Sequence, residues 1–359
     1  MNSRSERDAM LSKFKGSMIG GLIGDCLGAP FEFKYNDKLV PMKKIVTFLE
    51  DVKNMEDDKA PDDYFSYTDD TAMAKQIAIT FIEKKSLESE ELARNFTKEY
   101  FKEPWRGYGG SVVEVFDKLR RSNFCDPFKP AAEQFEGSGS YGNGAAMRAH
   151  TIGLACCRST EAETVRTGER LARLTHSHQL GVTGGVIQAS AVRQALHSVT
   201  PRDILASVSS LASQLEPHGE TLFQRKLKLL EGFMSEQRED VDHQEVATEL
   251  GNDVSAVDSV PTALYCALSV LDDQNTDSAD KFEAVLRLAI RMGGDTDTIA
   301  SMACALAGGH LGLEAIPPHL YTVCEGHQQV LQLAEKMHHQ VVLNSELTAE
   351  PSPKRAKLS

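Results

Sequence analysis

The chain of 359 residues is 41% hydrophobic and 25% charged, enough apolar material for a substantial core, and no Pro/Ser-rich linker divides its middle, so one domain is expected. A formal net charge of −13 excludes broad electrostatic binding to DNA or RNA; an anionic ligand would need recruited cations or backbone N–H groups. Seven cysteines without a C-x-x-C pair or zinc spacing read as buried free thiols in a reducing compartment, and without an apolar run of roughly 18 residues or a signal-peptide core in Met1–Lys15 a soluble intracellular protein is expected.

Periodicity is helical nearly throughout, so the expected fold class is all-α, a single compact multi-helix domain. A glycine-studded helix covers about Leu11–Leu27, and Thr68 starts another over Asp69–Lys84. Further helices are expected at Ser86–Tyr100, Ser111–Arg121, Gly144–Cys157, Glu161–Leu174, Leu180–His197, Pro201–Gln214, Thr221–Glu236, Pro261–Leu271, Ala279–Arg291, Asp297–Gly309 and Pro318–Val342. Lys44–Leu49 is the best of few strand candidates. Ala29–Tyr67 and Phe124–Gly142 read as long non-helical stretches, of the kind that is usually functional or disordered, and both lead into the motifs below. The domain is taken as 1–342. Residues 343–359 lose periodicity and read as a disordered tail, in which Lys354, Arg355 and Lys357 form either a short basic cluster of nuclear-import type or simply a solvated end.

Two clusters carry the chemistry: Tyr67-Thr68-Asp69-Asp70-Thr71 and, more than 220 residues later, Gly293-Gly294-Asp295-Thr296-Asp297-Thr298. Each packs adjacent oxygen donors into the first turn of a helix, where hard divalent cations find several at fixed separation. Either cluster alone reads more simply as helix capping. Two together change the balance, because four converging carboxylates repel unless cations lie between them. A two-metal site is the simplest resolution, and the absence of histidine or cysteine favours magnesium or manganese over zinc.

The third motif, Phe135-Glu-Gly-Ser-Gly-Ser-Tyr-Gly-Asn-Gly144 followed by Ala-Ala-Met-Arg148, is a glycine-rich loop running into a helix. It reads either as a phosphate-wrapping loop with Phe135 and Tyr141 available to stack on a base or ribose, or as an ordinary flexible loop that fits no Walker or Rossmann pattern. Asp25, in Gly24-Asp-Cys-Leu-Gly28, reads as a satisfied buried polar group. Glu32, at the mouth of the first long loop, is a general acid or base in one reading and a solvent-facing loop residue in the other. Arg106-Gly-Tyr-Gly109 looks like a structural turn, and His176, in Leu174-Thr-His-Ser-His178, either touches a ligand or packs.

Gly-Asp-x-x-Gly, Thr-Asp-Asp-Thr, Gly-Ser-Tyr-Gly-Asn-Gly, Thr-His and Gly-Gly-Asp-Thr-Asp-Thr, in this order, resemble the ADP-ribosylhydrolase family over about residues 14–340. Thr68-Asp69-Asp70 and Ser140-Tyr141-Gly142-Asn143 favour its serine-directed branch over the arginine-directed one. The resemblance implies two magnesium ions held by Thr68, Asp69, Asp70, Asp295, Asp297 and Thr298, a diphosphate cradled by Gly139, Ser140, Tyr141, Gly142 and Asn143, adenosine contacts from Phe135 and His176, and Glu32 as the mobile catalytic glutamate. It implies hydrolysis of O-linked ADP-ribose on serine, including chromatin proteins, of poly(ADP-ribose) and of O-acetyl-ADP-ribose, releasing ADP-ribose. A monomer in nucleus and cytoplasm is expected, with no membrane or direct DNA binding; the N-terminus lacks an Arg/Ser-rich mitochondrial presequence. The alternatives are a non-catalytic ADP-ribose-binding or structural member of the family and a di-metal phosphoesterase.

Overall fold

The computed structural model describes residues 4–35, 39–55, 64–216, 221–235 and 241–348, the last six of these as backbone alone. Its helices are α1 Arg4–Gly28, α2 Met42–Lys53, α3 Asp69–Lys84, α4 Ser89–Lys102, α5 Gly110–Arg121, α6 Lys129–Ala132, α7 His150–Ala155, α8 Glu161–Ala172, α9 Gln179–Leu196, α10 Pro201–Leu215, α11 Leu222–Ser235, α12 His243–Leu250, α13 Ala256–Asp272, α14 Lys281–Arg291, α15 Thr296–Leu311, α16 Pro318–Thr322 and α17 His327–Thr348. Among the described residues there is no strand, only the isolated bridges Phe65–Cys324 and Gly142–Ser255. The fold is all-α, as expected.

Its axis is a pair of helices. In α1, Gly16, Gly20, Gly24 and Gly28 recur every four residues and so share one face. That face lies on α15 so closely that a Cβ at any of the four would come well under 3.0 Å from α15 backbone or the residue following it; Gly308 of α15 answers Gly16 in the same way. Backbone therefore packs on backbone. Both helices are buried over most of their length and on all sides, as expected of core helices without a polar face. α9, α13, α14 and α17 pack around the pair. The peripheral α4, α5 and α8 are amphipathic: α5 buries Val112, Val115, Phe116 and Leu119 and turns Lys118, Arg120 and Arg121 outward.

Most expected helices stand within three residues of their places, and α3 matches end to end, capped by Thr68. Lys44–Leu49 is not a strand but part of α2, in which Ile45, Leu49 and Val52 are buried at spacings of four and three; helical period prevails over a locally β-branched composition. α2 also shortens the non-helical stretch expected over Ala29–Tyr67. The helix expected from Gly144 begins at His150, after a single tight turn over Asn143–Ala145. α13 starts at Ala256, capped by Ser255, and runs through Pro261. Pro318–Val342 is two helices, parted before Gly326, whose φ is +74°. α17 runs on to Thr348, six residues past the expected boundary at 342, while the basic cluster Lys354, Arg355 and Lys357 lies outside the described residues. All seven cysteines are free; six are buried and Cys125 is exposed. No helix among the described residues is long and apolar enough to cross a membrane.

Candidate active site

The end of α1 places both acidic clusters. Asp25, between Gly24 and Gly28, is fully buried, and its carboxylate accepts the backbone N–H of Thr68 (3.0 and 3.1 Å to its two oxygens) and of Thr71 (3.0 Å). The Thr68 hydroxyl accepts the N–H of Asp70 at 3.3 Å, so the start of α3 is capped twice. On the glycine face, the carbonyl of Gly28 accepts the Thr296 hydroxyl at 2.9 Å and fixes the start of α15. The two starts meet: the Thr298 hydroxyl donates to Asp70 Oδ1 at 3.3 Å, 228 residues away along the chain.

Glu32, Asp295 and Asp297 bring one carboxylate oxygen each to within 4.8 Å of one another. Asn143 donates its amide to Asp295 Oδ2 at 2.6 Å, tying the glycine-rich loop to the second cluster. Asp70 Oδ2 is buried with no hydrogen-bond partner. Such crowding penalises charge. Burial, then Asp25 and Asp295, pushes Asp69 up to about 7; burial and neighbouring carboxylates push Asp70 and Asp297 well above the ordinary range, and burial with Asp295 raises Glu32. The donor set is all oxygen, crowded, and leaves an orphaned carboxylate oxygen: it fits hard divalent cations. A carboxylate raised above its unfolded value near 3.9 contributes stability below that value and loses it as pH rises through the folded value. Between about pH 7 and pH 8.5 chelator-treated protein is therefore expected to lose thermal stability with rising pH, and magnesium to raise its Tm more at the upper end, as differential scanning fluorimetry would read.

These groups line one cavity of about 400 Å³ with Phe135, Ser140, Tyr141, Gly142, Asn143 and His176. Of the sequence-expected site residues only Gly139 does not line it. With φ +75°, Gly139 is pressed against Ser177 and the backbone of His178, and serves the loop's course rather than its contact surface. The loop is pinned elsewhere too: Asn143 N–H donates to the Val254 carbonyl (2.9 Å), Ala256 N–H to Tyr141 (3.0 Å) and Gly139 N–H to Gln134 (3.0 Å). Gly142 N–H turns to the Ser140 hydroxyl at 3.2 Å. Among the described residues the amides of Ser140 and Tyr141 have no acceptor, and they are the two of this stretch left for a ligand. Phe135 and Tyr141 stand on the rim, 57% and 55% exposed; Phe135 and Glu136 both have left-handed backbone (φ 51° and 56°), a strained geometry that aims the ring outward. His176 is buried, held well below the usual histidine range, at about 3, by burial and by Arg148.

Several contributors were not singled out as site residues in the sequence. Arg148 is almost wholly buried, lines the cavity and makes no ion pair among the described residues; burial lowers it to about 9 against the pull of Asp69. Its signal was present, a lone cation in an Ala-Ala-Met-Arg-Ala-His run. The turn at Arg106 does more than turn. Its carbonyl accepts the Asp69 N–H at 2.7 Å, its guanidinium donates to the Tyr67 carbonyl (2.9 Å) and to both oxygens of Glu325 (2.7 Å each), and Gly107 abuts Asp69.

The sequence model of the ADP-ribosylglycohydrolase family matches residues 6–346. The chain is 38% identical over 346 residues to the ADP-ribosylhydrolase ARH3 of Xenopus tropicalis, covering 92% of this chain and 96% of that protein. It is 36% identical to ADP-ribosylhydrolase ARH3 of Homo sapiens, covering 91% and 93%. A solved structure described as an ADP-ribosylglycohydrolase-related protein complex superposes with a TM-score of 0.66 at 21% identity, over 93% of this chain and 99% of that one, a likeness of fold.

Proposed function

The chain belongs to the ADP-ribosylglycohydrolase family and is an ADP-ribosylhydrolase, and on that premise we propose that it cleaves the O-glycosidic bond of ADP-ribose on serine, of poly(ADP-ribose) and of O-acetyl-ADP-ribose, releasing ADP-ribose. The observation that carries this reading is the meeting of two distant acidic helix starts in one cavity rimmed by aromatics and a glycine-rich loop. Two magnesium ions would be held by Thr68, Asp69, Asp70, Asp295, Asp297 and Thr298. When bound, they supply positive charge that binds ribose hydroxyls and offsets the acidity of both protein and ligand.

The remaining work falls to side chains. The free amides of Ser140 and Tyr141 suit a diphosphate, and Phe135 and His176 the adenosine side. The scissile bond joins the anomeric carbon of the distal ribose to oxygen, and its rupture passes through an oxocarbenium-like state. Glu32 sits at the exposed edge of the carboxylate group and lines the cavity, where burial and Asp295 raise its pKa. It either protonates the departing oxygen or activates the attacking water. Its membership of the 4.8 Å group also makes it a reachable metal ligand when no substrate is present. The proposed partners are ADP-ribosylated proteins, chromatin proteins among them, met by a monomer in nucleus and cytoplasm.

Product identification tests the reading. A serine-ADP-ribosylated peptide incubated with protein and magnesium is expected to give free ADP-ribose by mass spectrometry, with the rate falling at least about a hundredfold in chelator and in Asp297→Asn. Release of AMP or phosphate would assign a di-metal phosphoesterase. Binding without turnover would assign a non-catalytic ADP-ribose-binding protein, and an Asp297→Asn rate within a few-fold of wild type would remove the metal site.

A further inference from the structure

Thr175 precedes His176 and is itself buried away from the cavity. Its hydroxyl lies between two nitrogens: it accepts from Arg148 Nη2 at 2.7 Å and stands 2.7 Å from His176 Nδ1. A guanidinium can only donate, so the hydroxyl oxygen is the acceptor there and its single hydrogen is left for Nδ1. No other partner for this hydroxyl exists among the described residues. Nδ1 therefore accepts, and the ring proton of the neutral imidazole belongs on Nε2. Arg148 is fixed in turn: it donates to the Gly144 carbonyl at 2.7 Å and the Leu171 carbonyl at 3.4 Å, with its guanidinium carbon 4.9 Å from the centre of the Phe96 ring.

The other edge of the imidazole faces the glycine-rich loop. A Cβ at Gly142 would stand 3.4 Å from Nε2, and one at Gly144 3.1 Å from Nε2 and 2.7 Å from Cε1, so glycine at both positions makes room for the ring. Nε2 has no protein partner among the described residues, and His176 lines the cavity.

We propose that Arg148 and Thr175 are positioning residues that hold His176 in its Nε2–H tautomer, so that the cavity receives one fixed hydrogen-bond donor aimed at an acceptor oxygen or ring nitrogen on the adenosine half of an ADP-ribosyl ligand. The ligand class rests on the ADP-ribosylhydrolase reading; the relay itself rests on geometry alone. Burial and the charge of Arg148 keep the ring uncharged, so it selects by hydrogen-bond polarity rather than by charge. Without the hydroxyl, the opposite tautomer becomes accessible and turns a lone pair toward the ligand's acceptor.

Protein labelled with ¹⁵N-histidine reads the tautomer directly from the two ring nitrogens. In wild type, Nε2 is expected to be protonated and Nδ1 bare. Thr175→Val is expected to mix the tautomers, weaken ADP-ribose binding roughly tenfold and raise KM accordingly with kcat little changed, and Thr175→Ser to restore all three. A wild-type proton on Nδ1, or unchanged affinity in Thr175→Val, would overturn the proposal; the wild-type spectrum decides this even if the variant does not fold. Wild type that binds no ADP-ribose yet shows the Nε2–H ring would overturn the ligand assignment and the parent reading together, whereas failure of the relay with intact wild-type turnover would leave that reading standing.

Discussion

Glu32→Gln is expected to lower turnover of serine-linked ADP-ribose by roughly 10²–10⁴-fold while ADP-ribose affinity stays within a few-fold, measured by steady-state kinetics beside isothermal titration calorimetry. The amide keeps the size and one oxygen of the carboxylate but neither gives nor takes the proton. The residue stands at the exposed edge of the acidic group rather than in the protein interior, so no packing is lost with it. Its charge repels Asp297, and burial with Asp295 raises its pKa, so the metal-free variant should be no less stable than metal-free wild type. Collapse of ligand binding in Glu32→Gln would move the residue from the chemistry to the pocket.

Gly24→Ala is expected to be strongly damaging for a single added methyl group. Alanine is favoured over glycine inside a helix by about 1 kcal/mol, so intrinsic propensity predicts stabilisation. The structure predicts the reverse. The new Cβ would fall against the Ala300 carbonyl and the Ser301 nitrogen, all backbone, with no flexible side chain to yield. A net loss of about 2–4 kcal/mol is expected, seen as a fall in Tm on the order of 3–5 °C. The next residue is Asp25, so the displacement also reaches the cap of α3 and should weaken magnesium binding in whatever protein remains folded. Gly232→Ala inside α11, where a Cβ meets nothing within 4 Å, is the matched control: it should leave magnesium binding unchanged and keep or slightly raise Tm.

Helical content was legible because apolar period and caps agree in most segments: Thr68, Thr160 and Thr200 each accept an N–H at the start of their helices. The α2 segment was misread because Ile45, Val46 and Thr47 carry strand composition in a stretch too short for composition to be outweighed by period. In the site, the acidic motifs were legible because oxygen donors must be adjacent to share a helix turn. What adjacency cannot convey is who holds them. Asp25 could be read as buried and satisfied, but its partners, the amides of Thr68 and Thr71, lie 43 and 46 residues away. Gly139 entered the diphosphate loop through the family resemblance; its positive φ and its closeness to Ser177 are tertiary facts that no local motif conveys. Arg148 and Thr175 escaped because their roles act through His176.

The clasp between Arg106 and Glu325 bears on how much of the chain a working enzyme requires. Every oxygen donor is present by Thr298, and α15 is complete by Leu311. Yet Phe65 exchanges backbone hydrogen bonds with Val323 and Glu325, and Glu325 neutralises the guanidinium that grips the Tyr67 carbonyl immediately before Thr68. A fragment ended after α15 would retain all the ligands in its sequence and lose the strap that keeps the first pair in register with the second.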